Sequence, residues 1–187
     1  MRDTKDSIIK AARHLFAQHG YHGTSVDSIV KEAGVSKGSL YWHFSDKFEL
    51  YRTILILEVE RVKELFKSET YDVVDAAAFF RRRGNLILDV FDKDPESTLI
   101  WMDLLIQAKR GREEFKKIAR DLTSYYMKIS MDEGLCFNLD KGEMDSICLL
   151  LRLTMLGILS CQGSVMDTQE AKECWEHIVD LVMKGDD

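Results

Sequence analysis

Apolar positions along this chain recur with a helical period and break at only a few points. From about Asp3 to His19, the residues Ile8, Ile9, Ala12, Leu15, Phe16 and His19 fall on one face of a 3.6-residue helix. Lys10, Arg13 and Gln18 lie off that stripe, and Gly20 is placed to end the helix with a positive φ. Thr24 or Ser25 caps a second helix, with Asp27 three residues after Thr24 in a capping-box arrangement. Val26, Ile29, Val30 and Ala33 then repeat at i, i+3, i+4 and i+7. Gly34 permits a tight turn, Val35 plugs the core and Ser36 caps a third helix, about Lys37–Phe44, whose Leu40 and Phe44 point inward. Two short helices joined by a glycine turn make a helix-turn-helix.

Longer helices follow. A fourth opens at Asp46-Lys47 and runs to about Lys67 with no Gly or Pro linker, and a fifth covers about Val74–Phe91. Asp94-Pro95 restarts the chain, with proline at the first helical position, for a sixth helix over about Glu96–Ala108. That helix is apolar around most of its circumference, so burial on several sides is expected. A seventh is expected over Glu113–Met131, an eighth over Glu143–Gln162 and a ninth over Gln169–Lys184. The fold class is therefore all-α, with about nine helices. Residues 1–47 are expected to form a three-helix helix-turn-helix domain, and residues 48–187 a second, helical domain, the body of the chain.

With 187 residues, 45% hydrophobic and 31% charged, the chain can bury a large core without disulfides or metal. A single proline agrees with long helices and short connections. The N-terminus has charges where a signal peptide needs an apolar core. The apolar run around Ile147–Leu159 is interrupted by Arg152, so no membrane span and a cytoplasmic location are expected. Cys136, Cys148, Cys161 and Cys174 form no CxxC pair, which argues against structural zinc and for thiols in the core. His14, His19 and His22 have no ligand-spaced partner, so no metal or other cofactor is expected. No Glu-x-x-His pair, phosphate loop or nucleophile motif occurs, which leaves an enzyme disfavoured.

The net charge of −6 argues against DNA until it is divided. Residues 1–53 hold eight Lys/Arg against six Asp/Glu, leaving eighteen against twenty-six for the remainder. A weakly basic head on an acidic body can meet a polyanion in one orientation. Within that head, Lys37 and Ser39 sit at a helix N-terminus, where unsatisfied N–H groups favour phosphate and side chains can meet base edges. Gly38 costs about 1 kcal/mol of helix propensity against Ala, so it asks for a reason such as close backbone approach. Tyr41, Trp42 and His43 offer polar tips of the kind that hold phosphates.

These residues resemble the N-terminal domain of the TetR (tetracycline-repressor) family of bacterial transcription regulators. The resemblance rests on Gly20-Tyr21-His22-Gly23-Thr24-Ser25, on Ile29-Val30-Lys31-Glu32-Ala33-Gly34-Val35-Ser36, on Lys37-Gly38-Ser39-Leu40-Tyr41-Trp42-His43-Phe44, and on Lys47. Ser25 and Ser39 stand where the family has threonines, and Val30 where alanine is usual. It implies that Ser36, Lys37, Gly38 and Ser39 enter the major groove, with Lys37 the candidate for reading guanine. It further implies that Thr24, Ser25, Tyr41, Trp42, His43 and Lys47 hold phosphates.

The body suggests two further partners. The eighth helix is too apolar for a surface helix, and the simplest cover is a second copy, packed as a four-helix bundle of helices 8 and 9. Family relatives dimerise this way, which implies a palindromic double-stranded operator with half-sites about 34–36 Å apart or a multiple of that. Arg152, Trp175, Ile178, Val179 and Val182 are the candidate interface residues. Phe79, Phe80, Phe91, Trp101, Met102, Tyr125, Tyr126 and Met155 could instead line a cavity for a small hydrophobic effector, or simply be core. Asp103, a carboxylate in an apolar helix, needs an internal Arg or Lys or a cationic or hydroxyl-bearing effector. A dimeric repressor released by an effector is the expectation; an activator or co-regulator with no small ligand is the alternative.

Overall fold

A computed structural model describes residues 4–68, 75–134 and 141–183, with side chains of 67–68, 125–134 and 141 left out. Among the described residues the protein is all-α. Its helices are α1 (Thr4–Gly23), α2 (Val26–Ala33), α3 (Lys37–His43), α4 (Lys47–Ser68), α5 (Ala76–Lys93), α6 (Pro95–Lys109), α7 (Glu113–Gly134), α8 (Lys141–Cys161) and α9 (Thr168–Met183). One isolated bridge, Gln162 to Met166, closes the turn between α8 and α9.

Two local signals resolve differently from their sequence reading. Gly20 has φ 68 and ψ 173, so α1 continues after a kink to Gly23 rather than stopping at His19. Ser25, not Thr24, caps α2, and Ser28 rather than Asp27 completes the capping box. Asp27 is thereby free for another contact, described below.

The chain divides into two compact units. The first takes the described chain up to Lys63 together with Pro95–Ala119. Ile8, Phe16, Ile29, Leu40, Leu50, Ile54, Ile100, Leu104 and Phe115 are closed from solvent there. In α6 the buried positions are Ser97, Ile100, Leu104 and Gln107, one face only. Leu99, Leu105 and Ile106 are exposed, which corrects the expectation of burial on several sides. A polar cluster ties α1, α4 and α6 together. Arg13 donates from Nε to Glu58 (2.6 Å), from Nη1 to Glu96 (2.5 Å) and from Nη2 to Ser97 (2.9 Å). Ser97 donates to Glu58 at 2.7 Å, and Arg61 reaches both. Buried carboxylates are tolerated only when paired in this way.

The second unit holds the described residues between Glu64 and Asp94 and from Arg120 onward. Its seam is α5 on α9. A Cβ at Gly84 would lie 1.9 Å from Trp175 Nε1, so glycine is what lets the indole lie against the helix. Trp175 Nε1 then donates to the Phe80 carbonyl at 3.0 Å. Outside this contact run Arg81–Asp180, Asn85–Glu176 and Asp89–Lys172, four residues apart on each helix. Trp175 and Val179, expected at a dimer interface, are therefore buried within their own unit. Ile178, Val182 and Arg152 are half-buried.

In α8 the buried side is Met144, Ile147, Cys148, Leu151, Met155, Ile158 and Leu159, and Leu149, Leu150 and Leu153 are exposed. By length and composition Gly142–Cys161 suffices to cross a membrane, with mean hydropathy 1.7, Arg152 notwithstanding. Its covered face packs on α9 and α5. Burial raises the Cys148 thiol pKa; Cys161 is half-buried and Cys174 exposed, while Cys136 lies outside the described residues.

The expected pocket wall falls into two sets. Phe79, Phe80, Phe91 and Met155 are buried in the second unit, where the Arg83 guanidinium stacks 3.8 Å from the Phe66 ring centre. Trp101, Met102 and Asp103 belong to the first unit. The side chains of Tyr125 and Tyr126 lie outside the described residues.

Candidate nucleic-acid interface

The geometry of α2 and α3 follows from four local devices. The Ser25 hydroxyl accepts the Ser28 N–H at 3.0 Å and starts α2. Gly34, at φ 68 and ψ 33, turns the chain left-handed, and the Val35 N–H closes on the Val30 carbonyl at 3.0 Å. Ser36 Oγ accepts the Ser39 N–H at 3.1 Å and starts α3, with the two hydroxyls 2.9 Å apart. Leu40 and Phe44, both buried, nail the inner side of α3 to the core. The opposite side is left to water. Trp42 is 85% exposed and Tyr41 52%, while Ser36, Lys37 and Gly38 are also exposed and Ser39 and His43 half-buried.

Large aromatics held in water cost apolar hydration that the fold does not recover. Tyr41 and Trp42 stand uncovered one turn beyond the serine hydroxyls and the lysine that open α3. Lys37 Nζ lies 2.6 Å from Asp27 Oδ1, with both groups exposed. That contact joins the first turns of α2 and α3 across their outer side. The Asp27 hydrogen bond and charge raise the Lys37 pKa, so the ammonium stays charged while it waits.

Two of the expected phosphate-holding residues sit deeper. Thr24 is 1% exposed, and its hydroxyl lies 3.0 Å from the Leu15 carbonyl and 2.9 Å from that of Gly20. Its side chain therefore serves the end of α1, and the exposed hydroxyl at this corner is that of Ser25. Lys47 Nζ donates to the carbonyls of Tyr21 and Thr24, both at 2.7 Å, and sits 4.3 Å from the Tyr21 ring centre. An ammonium has three donors, so one remains for an outside acceptor. Burial, then the charge of Arg112, lowers the Lys47 pKa.

Asp103 explains the kink. Its carboxylate accepts the Tyr21 N–H at 3.0 Å, the Tyr51 hydroxyl at 2.9 Å and the Gln107 amide at 2.9 Å. Within the chain neutral donors surround this carboxylate in place of an Arg or Lys, and the N–H that the break at Gly20 frees is met by Asp103 on α6. A Cβ at Gly20 would come within 2.9 Å of Asp103 Oδ1. Tyr51 was missed by the sequence reading. Its place in the apolar stripe of α4 gave no hint of a polar role, yet burial and Asp103 raise its pKa well above the ordinary tyrosine range.

Residues 8–54 match the model of the bacterial regulatory proteins, tetR family. The HTH-type transcriptional regulator AcrR of Shigella flexneri is 41% identical over 64 residues, 34% of this chain and 30% of that regulator. This N-terminal segment belongs to the TetR family. A further relative, the HTH-type transcriptional activator FasR of Mycolicibacterium smegmatis, is 30% identical over 135 residues, 71% of this chain and 62% of the activator. The matched stretch thus spans from about a third to under two thirds of these relatives' own length. Among solved structures, a transcriptional regulator from Rhodococcus sp. Rha1 shares the fold, with TM-score 0.82 and 19% identity over 98% of this chain and 97% of that one. The expected DNA-contacting residues, Thr24 to Lys47, lie inside the TetR-family match, whereas α5 to α9, with Asp103 and Gln107, are outside it.

Proposed function

We propose that the protein is a DNA-binding transcriptional regulator, a two-fold dimer that represses from a palindromic operator and is released by a small hydrophobic effector. It is a binding protein rather than an enzyme, and its place is the cytoplasm. Residues 1–47 would carry DNA, and residues 48–187 the dimer and effector sites. The observation that carries this reading is the outer side of α3. There a serine-capped N-terminus, Lys37 and the exposed Tyr41 and Trp42 stand on a back that Leu40 and Phe44 bury completely.

In this reading Ser36–Ser39 meet base edges, and Ser25, Tyr41, Trp42, His43 and the remaining donor of Lys47 meet phosphate. The dimer is supported by the apolar side of α8, where Leu149, Leu150 and Leu153 meet water in the single chain. Leu181 of α9 does the same and takes the place of Trp175 and Val179 among interface candidates. For the effector, the aromatic set Phe79, Phe80 and Phe91 with Met155 in the second unit is the best available lining. An effector can release DNA only by its differential affinity for the off-DNA state.

Footprinting on the DNA upstream of the protein's own reading frame, at two salt concentrations, tests this directly. Protection of a palindrome that weakens steeply with salt is expected. Protection of no palindrome would remove the reading. Because one relative is named an activator, the second reading is activation, and transcription from the footprinted promoter with and without protein separates the two.

A further inference from the structure

The connection from α6 to α7 reads Lys109-Arg110-Gly111-Arg112, and all four residues are exposed. It is a shaped turn. Gly111 has φ 87, the Arg110 N–H returns to the Ile106 carbonyl at 3.0 Å, and the Arg112 carbonyl accepts the Lys116 N–H at 3.0 Å. One turn further on, the buried Phe115 anchors it. That ring lies 5.0 Å from Tyr21, 5.3 Å from Phe48 and 5.8 Å from Tyr51. The anchor brings the connection beside the corner between α1 and α2 and the root of α4, the place where Lys47 sits.

Positive charge gathers there, with Asp46, Asp103 and Glu114 the carboxylates that act on the same neighbours. Lys37 has Asp27 and Lys116 has Glu113, each at 2.6 Å, but no ion pair among the described residues holds Lys109, Arg110 or Arg112. Burial lowers the His22 pKa first, with Arg112, Lys47 and Arg110 adding to it against Asp103, and Arg112 also adds to the lowering of that of Lys47, again against Asp103. A solvated loop cation is an ordinary surface feature. Two arginines that disfavour the charged form of their neighbours, next to a lysine already committed to carbonyls, are a cost that a polyanion would reverse.

We propose that Arg110 and Arg112 contact the phosphate backbone flanking the base pairs read by α3, extending the DNA surface beyond the helix-turn-helix. The inference rests on the DNA-binding reading and adds residues far along the chain that the family-matched segment does not include. The contacts are to backbone, so they add affinity and salt dependence on any flanking sequence and no base preference.

The test compares two duplexes. One is the sequence that wild type selects from a randomised library, trimmed to the selected base pairs; the other carries about one helical turn (~10 base pairs) of added DNA on each side. For Arg110→Gln/Arg112→Gln the dependence of log K on log salt should become shallower by about 0.9 per lost phosphate, about 1.8 per bound chain, on the flanked duplex. On the trimmed duplex the slope should equal that of wild type. Arg110→Lys/Arg112→Lys should keep the wild-type slope on both, and Lys93→Gln, an exposed charge in the second unit, should change neither. An unchanged slope for the double glutamine variant on the flanked duplex overturns the proposal. So does an equal loss on both duplexes, or one matched by Lys93→Gln, since either would report a general field. Wild-type protein that binds neither duplex would sink the regulator reading itself, and this inference with it.

Discussion

Replacing Tyr51 with Phe removes one hydroxyl from the frame that positions the corner between α1 and α2. That hydroxyl donates to Asp103 Oδ2 at 2.9 Å and lies 3.3 Å from the Ile100 carbonyl. The ring itself is fully buried and stays packed edge-on to Phe16, so no apolar area is lost. What is lost is a hydrogen bond to a charged, partly buried acceptor, about 1.5–3 kcal/mol. For a chain of this length that corresponds to roughly 3–12 °C in melting temperature. The effect carries a pH signature. In the folded state Tyr51 holds its proton well above the ordinary pKa of about 10, while in the unfolded chain it ionises there. Above pH 10 the unfolded state therefore binds fewer protons than the native state, and stability falls by about 1.4 kcal/mol per pH unit on this account. The Tyr51 contribution is complete below pH 10 and lost as pH rises. The gap between wild type and Tyr51→Phe in urea unfolding should thus be full at pH 8 and shrink by about 1.4 kcal/mol at pH 11. A gap that stays constant from pH 8 to 11, or that is absent at pH 8, refutes the role given to this hydroxyl.

Gly84→Ala places a methyl where the Trp175 indole lies and should cost about 1–3 kcal/mol in thermal unfolding; an unchanged melting temperature would mean α5 and α9 do not pack so closely. On selected and random duplexes, Lys37→Ala should relax sequence preference, whereas Tyr41→Phe should weaken both alike; equal losses on both DNAs for both variants would end that division of labour. Leu150→Glu/Leu153→Glu should leave a folded monomer on sizing at micromolar concentration, since both side chains are exposed in the single chain, and a persisting dimer would place the interface elsewhere.

How much of this was legible in the sequence depended on the range of the interactions involved. Gly34, Ser36 and the Leu40–Phe44 pair act over a few residues, so the turn and the caps of α3 could be read from spacing alone. The same holds for Pro95 at the start of α6 and for the nine helices among the described residues. Contacts between elements distant in sequence gave no such signal. Trp175 looked like an exposed interface aromatic because nothing local shows that Gly84, 91 positions earlier, clears a slot for it. Asp103 looked like an ion-pair or ligand carboxylate because its first partner is a backbone N–H released by a kink 82 residues away. Buried polar groups find whatever donors the fold brings to them, and composition does not say which.

The same reasoning changes the meaning of Lys47. From sequence it is a phosphate ligand at the root of α4. In the fold two of its donors close the end of α1, through Tyr21 and Thr24, and Asp103 on α6 holds the same turn from the other side. The corner that presents Ser25 is thus gripped at once by the first turn of α4 and by α6. A small displacement of either helix must break a charge-assisted hydrogen bond or drag the corner with it. Each such bond resists being broken by about 1.5–3 kcal/mol. A signal that shifted α4 or α6 would therefore act on the Ser25 corner through Tyr21 and Thr24.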